Sequence, residues 1–176
     1  MMQSDKAQLR QEVRRRVAGL SLQQRREAAS RVAMLLRADP LYRQSRHVMA
    51  YWALPDELDL SEFVGSESAE KQFYLPVVDG DCLRVAPLTG HWREGAYHIQ
   101  EPDGAEFADP AVLDYVIVPG RAFDASGNRM GRGKGFYDRF LASISACKTG
   151  VCFACQIFDQ VPVGPEDVVM RQVFFA

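Results

Sequence analysis

Tyr115-Val-Ile-Val-Pro119 is the stretch that most restricts what this chain can become. A nearly continuous apolar run bounded by turn formers has the signature of a strand buried on both faces, and such strands lie in the middle of parallel sheets covered by helices. The residues after it narrow the choice. Gly120 and Asp124-Ala-Ser-Gly-Asn128 lead into Arg129-Met-Gly-Arg-Gly-Lys-Gly-Phe-Tyr-Asp138. There Gly131, Gly133 and Gly135 alternate with Arg132 and Lys134. A helical pattern of about ten residues comes next, carried by Phe136, Phe140, Leu141 and Ile144. Glycines remove the Cβ atoms that hold a ligand off the backbone, so amide N–H groups can point at an anion. A helix start adds partial positive charge to the same place. Arg132 and Lys134 add full charges, and arginine is suited to bidentate phosphate contacts. The loop therefore reads as a phosphate cradle. It is not a Walker A loop, because the position five before Gly133 is Asn128 and Lys134 is followed by Gly135. The competing reading is a flexible basic surface turn.

Around this centre, helical and strand patterns interleave. Leu9, Val13 and Val17 have helical spacing over residues 5–19, among Lys6, Arg10 and Arg14-Arg-Arg16. Most of those arginines read as a solvated face. Gly19 ends the helix, and Ser21 with Gln24 forms a capping box for a second, antiparallel one that stops before Pro40. His47-Val-Met-Ala-Tyr-Trp52 reads as a strand, with His47 structural or at the surface. An acidic loop with Asp56 and Glu57 comes after it, then a short helix capped by Asp59. A carboxylate in the loop after a parallel strand sits where open α/β sheets bind ligands, which makes Glu57 the candidate and Asp56 a solvated neighbour.

Residues 73–76 and 83–87 read as further strands, with Pro87 marking an edge or a strand end. The long connection 90–109 allows at most one short strand near Tyr97, and connections of that length are usually functional. Tyr97 suits the wall of a flat ligand's site or a packing role equally, whereas His91, Trp92 and His98 read as surface loop. Strands at 151–158 and 168–174 close the pattern. No repeat and no linker-like break interrupts it, so residues 1–176 are expected to form one three-layer α/β domain: an open, mostly parallel sheet flanked by helices.

Composition excludes several classes. A formal charge of −2 and a pI near 5.9 argue against a general nucleic-acid binder. No apolar run approaches the length that spans a bilayer, and the polar, arginine-rich N-terminus lacks a signal core, so a cytoplasmic protein without membrane contact is expected. Cys152 and Cys155 have zinc-like spacing but fall inside an expected strand, where residues three apart face opposite sides. With no second pair to complete a site, they read as buried structural thiols.

The run Gly120-Arg-Ala-Phe-Asp124 followed by residues 127–138 closely resembles the 5-formyltetrahydrofolate cyclo-ligase family. Lys6 and Arg10 resemble that family's N-terminal basic pair, residues 51–57 its folate-contacting segment, and residues 161–167 its C-terminal Pro…Asp segment. The matches keep the family's order over essentially the whole chain. The resemblance implies a NagB/RpiA/CoA transferase-like scaffold. It also implies an enzyme that uses ATP and Mg²⁺ to close 5-formyltetrahydrofolate to 5,10-methenyltetrahydrofolate, releasing ADP and phosphate; a monomer is the expected state. It implies that Lys6, Arg10, Arg129, Gly131, Arg132, Gly133, Lys134, Gly135, Phe136 and Tyr137 bind ATP. Trp52, Glu57, Arg132 and Phe136 would contact the folate, with Tyr97 as a further wall. Asp138 and Asp167 would meet magnesium, and Arg132, Lys134 and Glu57 would carry the chemistry. The chain departs from the family at Arg171, where a second acidic residue is frequent, and at Phe136-Tyr137, where two tyrosines are common. The alternatives are a folate- or nucleotide-binding member without turnover and a phosphate-ester enzyme on a similar scaffold, such as a sugar-phosphate isomerase; ATP dependence separates the latter from the cyclo-ligase.

Overall fold

The computed structural model describes residues 2–95, 99–104 and 106–176, with side chains from Lys6 onward. Helix α1 (Met2–Ala18) is followed, after Gly19, by α2 (Leu22–Ala38). The expected capping box is present: the Ser21 hydroxyl accepts the Gln24 N–H at 3.2 Å, and the Gln24 side chain accepts the Ser21 N–H at 2.8 Å. Asp39 ends α2 and caps the short α3 (Pro40–Gln44). Strand β1 spans His47–Met49 and α4 spans Ser61–Glu67. The hairpin β2 (Gln72–Asp79) and β3 (Cys82–Pro87) precedes a second, small one of β4 (Trp92–Glu94) and β5 (Gln100–Pro102). Then come β6 (Tyr115–Pro119), the two-residue strands β7 (Ala122–Phe123) and β8 (Arg129–Met130), α5 (Phe136–Ala142), β9 (Cys147–Cys152) and β10 (Gln172–Phe175).

The main sheet has six strands in the order β10-β9-β6-β1-β2-β3. All neighbours are parallel except β3, which runs antiparallel to β2 and ends the sheet with Pro87 at its margin. Residues 115–118 are fully buried in the centre, as the unbroken apolar run required. Alternation divides the strands between two cores. Val48, Phe73, Tyr115, Ile117 and Val151 face Val13, Val32, Leu36, Tyr42 and Phe63 from α1–α4. Met49, Tyr74, Val116, Val118 and Cys152 face Phe140 and Leu141 of α5. The result is the expected three layers. At one polar point in the first core, Asp39 accepts from the Tyr115 hydroxyl and from the Gln172 amide, both at 2.7 Å. Burial, with that carboxylate beside it, pushes the Tyr115 hydroxyl far above its ordinary pKa.

The structure corrects several boundaries. Strand β1 stops at Met49, three residues before the expected end. Beyond Cys152 the apolar run leaves the sheet for a 3-10 turn, Ala154–Gln156, because Phe153 and Gln156 are buried there by packing rather than by pairing. Cys152 is buried, but Cys155 sits half-exposed on that turn, so a strand's alternation does not separate the two. All four cysteines are free thiols. Strand β10 begins at Gln172 rather than 168. Leu60 occupies the α4 N-cap, one place after the expected Asp59, whose carboxylate accepts the Ser61 N–H at 2.9 Å. Among the described residues no helix is long and apolar enough to cross a membrane.

Candidate functional site

The chain leaves β1 toward β2 on one side and leaves β6 toward β9 and β10 on the other. The β1/β6 boundary is therefore the topological switch point, and the loops after these two strands flank the crevice where open α/β sheets bind ligands. The acidic loop follows β1 and the cradle follows β6.

The acidic loop is folded on itself. Glu57 N–H donates to the Leu54 carbonyl at 2.9 Å, and Leu54 N–H donates to Glu57 Oε2 at 3.0 Å. The buried Tyr51 hydroxyl donates to the Leu58 carbonyl. Arg25 of α2 ties the loop to α1, donating to the Pro55 carbonyl at 2.8 Å and the Val17 carbonyl at 2.6 Å.

The cradle stands on a turn built by Asp124. Its Oδ1 accepts the Ser126 and Asn128 N–H groups at 3.0 Å, and its Oδ2 accepts Asn128 Nδ2 and Val161 N–H at 2.9 Å. Burial alone would raise its pKa, but these donors hold its carboxyl below the usual range. Arg129 lies beneath the loop, 4% exposed, donating to the Pro119 carbonyl at 3.0 Å and to Asp138 Oδ1 at 2.9 Å. Gly133 and Gly135 take φ of +94° and +69°, a region that side chains disfavour, and an Arg10 nitrogen lies 3.1 Å from where a Gly133 Cβ would be. Helix α5 has seven residues rather than about ten.

The two loops meet at Arg132, across 75 residues of sequence. Its Nε and Nη2 donate to Glu57 Oε1 at 3.0 and 2.9 Å, and Nη2 also reaches Asp56 Oδ1. Asp56 Oδ2 pairs with Arg121 Nη1 at 2.6 Å. Asp56 is thus not the solvated neighbour of Glu57 that sequence suggests but the bridge between two guanidinium groups. Burial pulls its pKa up, and the Arg132 hydrogen bond and both positive charges outweigh that and hold it low. Arg121 has a lowered pKa, from burial and from Arg132 nearby. Gln156 fixes the backbone there, its amide donating to the Gly120 and Arg121 carbonyls at 3.1 and 2.9 Å. Sequence reasoning assigned no role to Arg121, although the rule that picks out Glu57, a polar side chain just after a central strand, applies to it equally.

From elsewhere in the chain come Lys6 and Arg10 on α1, and Asp167. Lys6 Nζ lies 3.0 Å from Asp167 Oδ2, which also accepts the Gly164 N–H at 2.6 Å. All these groups line one cavity of about 510 Å³, a size suited to small-molecule ligands. Lys6, Arg10, Trp52, Glu57, residues 129–138 and Asp167 border it, and so do Asp56, Arg121 and Glu101. Tyr97 lies outside the described residues. The Nε atoms of Arg10, Arg121 and Arg129 are buried without a hydrogen-bond partner, which suits the binding of an anion. Among the described residues no three His, Cys, Asp or Glu side chains form a metal-binding cluster. Asp138 commits Oδ1 to Arg129 and Asp167 commits Oδ2 to Lys6, so each has one carboxylate oxygen left. Two hard oxygens beside a phosphate-type cradle fit Mg²⁺, which commonly keeps phosphates and waters as most of its ligands.

Fold and cavity together define an α/β protein with a basic, glycine-rich cleft at its switch point. Comparison with known proteins gives the family. The model of the 5-formyltetrahydrofolate cyclo-ligase family matches residues 2–176, and the chain belongs to that family of ligases. The Mus musculus 5-formyltetrahydrofolate cyclo-ligase is 24% identical over 98% of this chain and 94% of its own. The Haemophilus influenzae 5-formyltetrahydrofolate cyclo-ligase is 29% identical over 94% of this chain and 95% of its own. The NMR structure of Aquifex aeolicus 5,10-methenyltetrahydrofolate synthetase superposes with a TM-score of 0.88 at 31% identity, covering 97% of this chain and 89% of that one.

Proposed function

We propose that this cavity converts 5-formyltetrahydrofolate and ATP to 5,10-methenyltetrahydrofolate, ADP and phosphate. The observation that carries the reading is the Arg132–Glu57 contact, which joins a phosphate-type loop to a carboxylate suited to the N–H edge of a pteridine. A formyl amide carbon is a poor electrophile and its oxygen a poor leaving group. Transfer of the γ-phosphoryl group to that oxygen breaks the bond to ADP and leaves an iminium-like carbon. The N10 lone pair then attacks this carbon, N10 loses its proton, and the C–O bond breaks as phosphate departs.

Such a reaction asks the protein mainly for positioning and for charge on the transferring oxygens. Lys6, Arg10 and residues 131–137 would receive the triphosphate, with Arg132 and Lys134 against the moving group. Glu57 would hold the pteridine with Phe136 beside it, and Trp52 would contact the folate nearer the cavity's edge. Arg129 would act from below, by keeping the loop's shape. Asp138 and Asp167 would hold a magnesium ion, which when bound supplies positive charge to the phosphate oxygens.

The test is direct. Purified protein with Mg-ATP and 5-formyltetrahydrofolate should develop the methenyl absorbance, and should fail to do so without ATP or with the metal chelated. Arg132→Ala should lower kcat at least about a hundredfold while the thermal transition stays within a few degrees of wild type. ATP-independent turnover, or none with both substrates, would overturn the reading.

A further inference from the structure

The chain's two tryptophans meet at the rim of this cavity. Trp52 lines it, and Trp92, on β4, packs against Trp52 with ring centroids 4.8 Å apart and planes tilted by 58°. Each indole remains 38% exposed, and neither belongs to the buried clusters that stabilise the two faces of the sheet. Folding therefore does not explain the pair. Large indoles left at the edge of a pocket mark a place where a further apolar surface is covered on binding.

The small hairpin that carries Trp92 is fixed to the sheet. Trp92 lies opposite Pro102 and Arg93 opposite Glu101 in its register. The buried Glu101 accepts the Val78 N–H of β2 at 3.3 Å and pairs with Arg93 at 3.4 Å. Ile99 and Glu101 of the same hairpin form part of the cavity wall. Trp92 is thus held in place from β2 and in turn supports Trp52 on its outer side.

We infer that the Trp52–Trp92 pair is the platform for the aminobenzoyl ring of the folate, with Trp52 as the contact and Trp92 as its positioning residue. The inference rests on the proposed substrate, and its logic is the polarity of that molecule. The pteridine presents N–H groups that need a buried acceptor, which Glu57 supplies inside the cavity. The glutamate end is charged and must remain in water. The ring that crosses the rim between them is the aminobenzoyl group, which has no hydrogen-bonding edge and offers two flat faces for stacking.

The pair also supplies its own probe, because all tryptophan emission comes from it. Emission excited at 295 nm, corrected against free tryptophan, should fall and shift as 5-formyltetrahydrofolate is added to the wild-type protein. Trp92→Ala should raise the KM for 5-formyltetrahydrofolate about tenfold, with kcat and the KM for ATP within about twofold of wild type. Trp92→Phe should recover most of that loss. Unchanged emission on folate titration would overturn the inference. So would a Trp92→Ala variant with unchanged folate KM, or one losing kcat and ATP affinity in equal measure. The titration requires no turnover, so it tests this platform even if the cyclisation assay fails.

Discussion

The most informative side chain at this site is one that sequence reasoning set aside. Asp56 connects Arg121 to Arg132, and without it two close guanidinium groups would face each other with only Glu57 beside them. Asp56→Asn removes the charge at nearly constant shape. The variant should lose about 1–2 kcal/mol of stability, seen as a lower thermal midpoint, because a half-buried guanidinium is left without its anion. Added phosphate or ATP should then raise the midpoint of the variant more than that of the wild type, since an anion can replace the missing carboxylate. Equal shifts in both proteins would show that Asp56 is not what balances this charge. Glu57 was legible as a cavity-lining residue, because a carboxylate in the loop after a parallel strand sits where open α/β sheets bind ligands, a rule that covers Asp56 equally. The role of Asp56 was not, since its partners come from residues more than 60 positions away and no local pattern encodes them.

At the scale of elements, the turn that supports the cradle depends on Asp124. Its carboxyl is held low by the donors around it, so its stabilising contribution is complete above the ordinary carboxylate range and is lost as pH falls through the depressed value. Asp56 has a depressed pKa for related reasons and adds to the same trend. The thermal midpoint should therefore stay level from pH 7 to about 5 and fall below about pH 4. Asp124→Asn should start lower and show a flatter acid limb in the same melts, while a parallel decline in both proteins would contradict the assignment. Strand β6 was legible because an unbroken apolar run with turns at both ends fits little besides a central strand. The strand expected at 151–158 was mostly misplaced, since β9 spans Cys147–Cys152 and only residues 151 and 152 of that run pair in the sheet; burial is common to a strand and to the 3-10 turn after it, and apolar sequence reports burial rather than hydrogen-bond pairing. The cradle itself was legible as glycines and charge, but its helix is shorter than the apolar spacing implied.

The whole molecule explains why the site forms where it does. Strands β1 and β6 are neighbours in space, although the sequence places the two β-hairpins between them, so the loops after them open onto the same crevice. The N-terminal helix and the segment around Asp167 complete the wall through the Lys6–Asp167 pair. Each group was visible as a polar residue in a loop or on a helix face, and their convergence on one cavity is a property of strand order. The central claim is that a single cavity holds both substrates, ATP against residues 131–137 and the folate against Glu57, with Arg132 between them. A structure with 5-formyltetrahydrofolate and a non-hydrolysable ATP analogue bound together tests it most directly. The account predicts both ligands in this cavity, the terminal phosphate beside Arg132 and the formyl oxygen within reach of it. A folate bound away from Glu57, or a triphosphate lying outside the glycine loop, would contradict it.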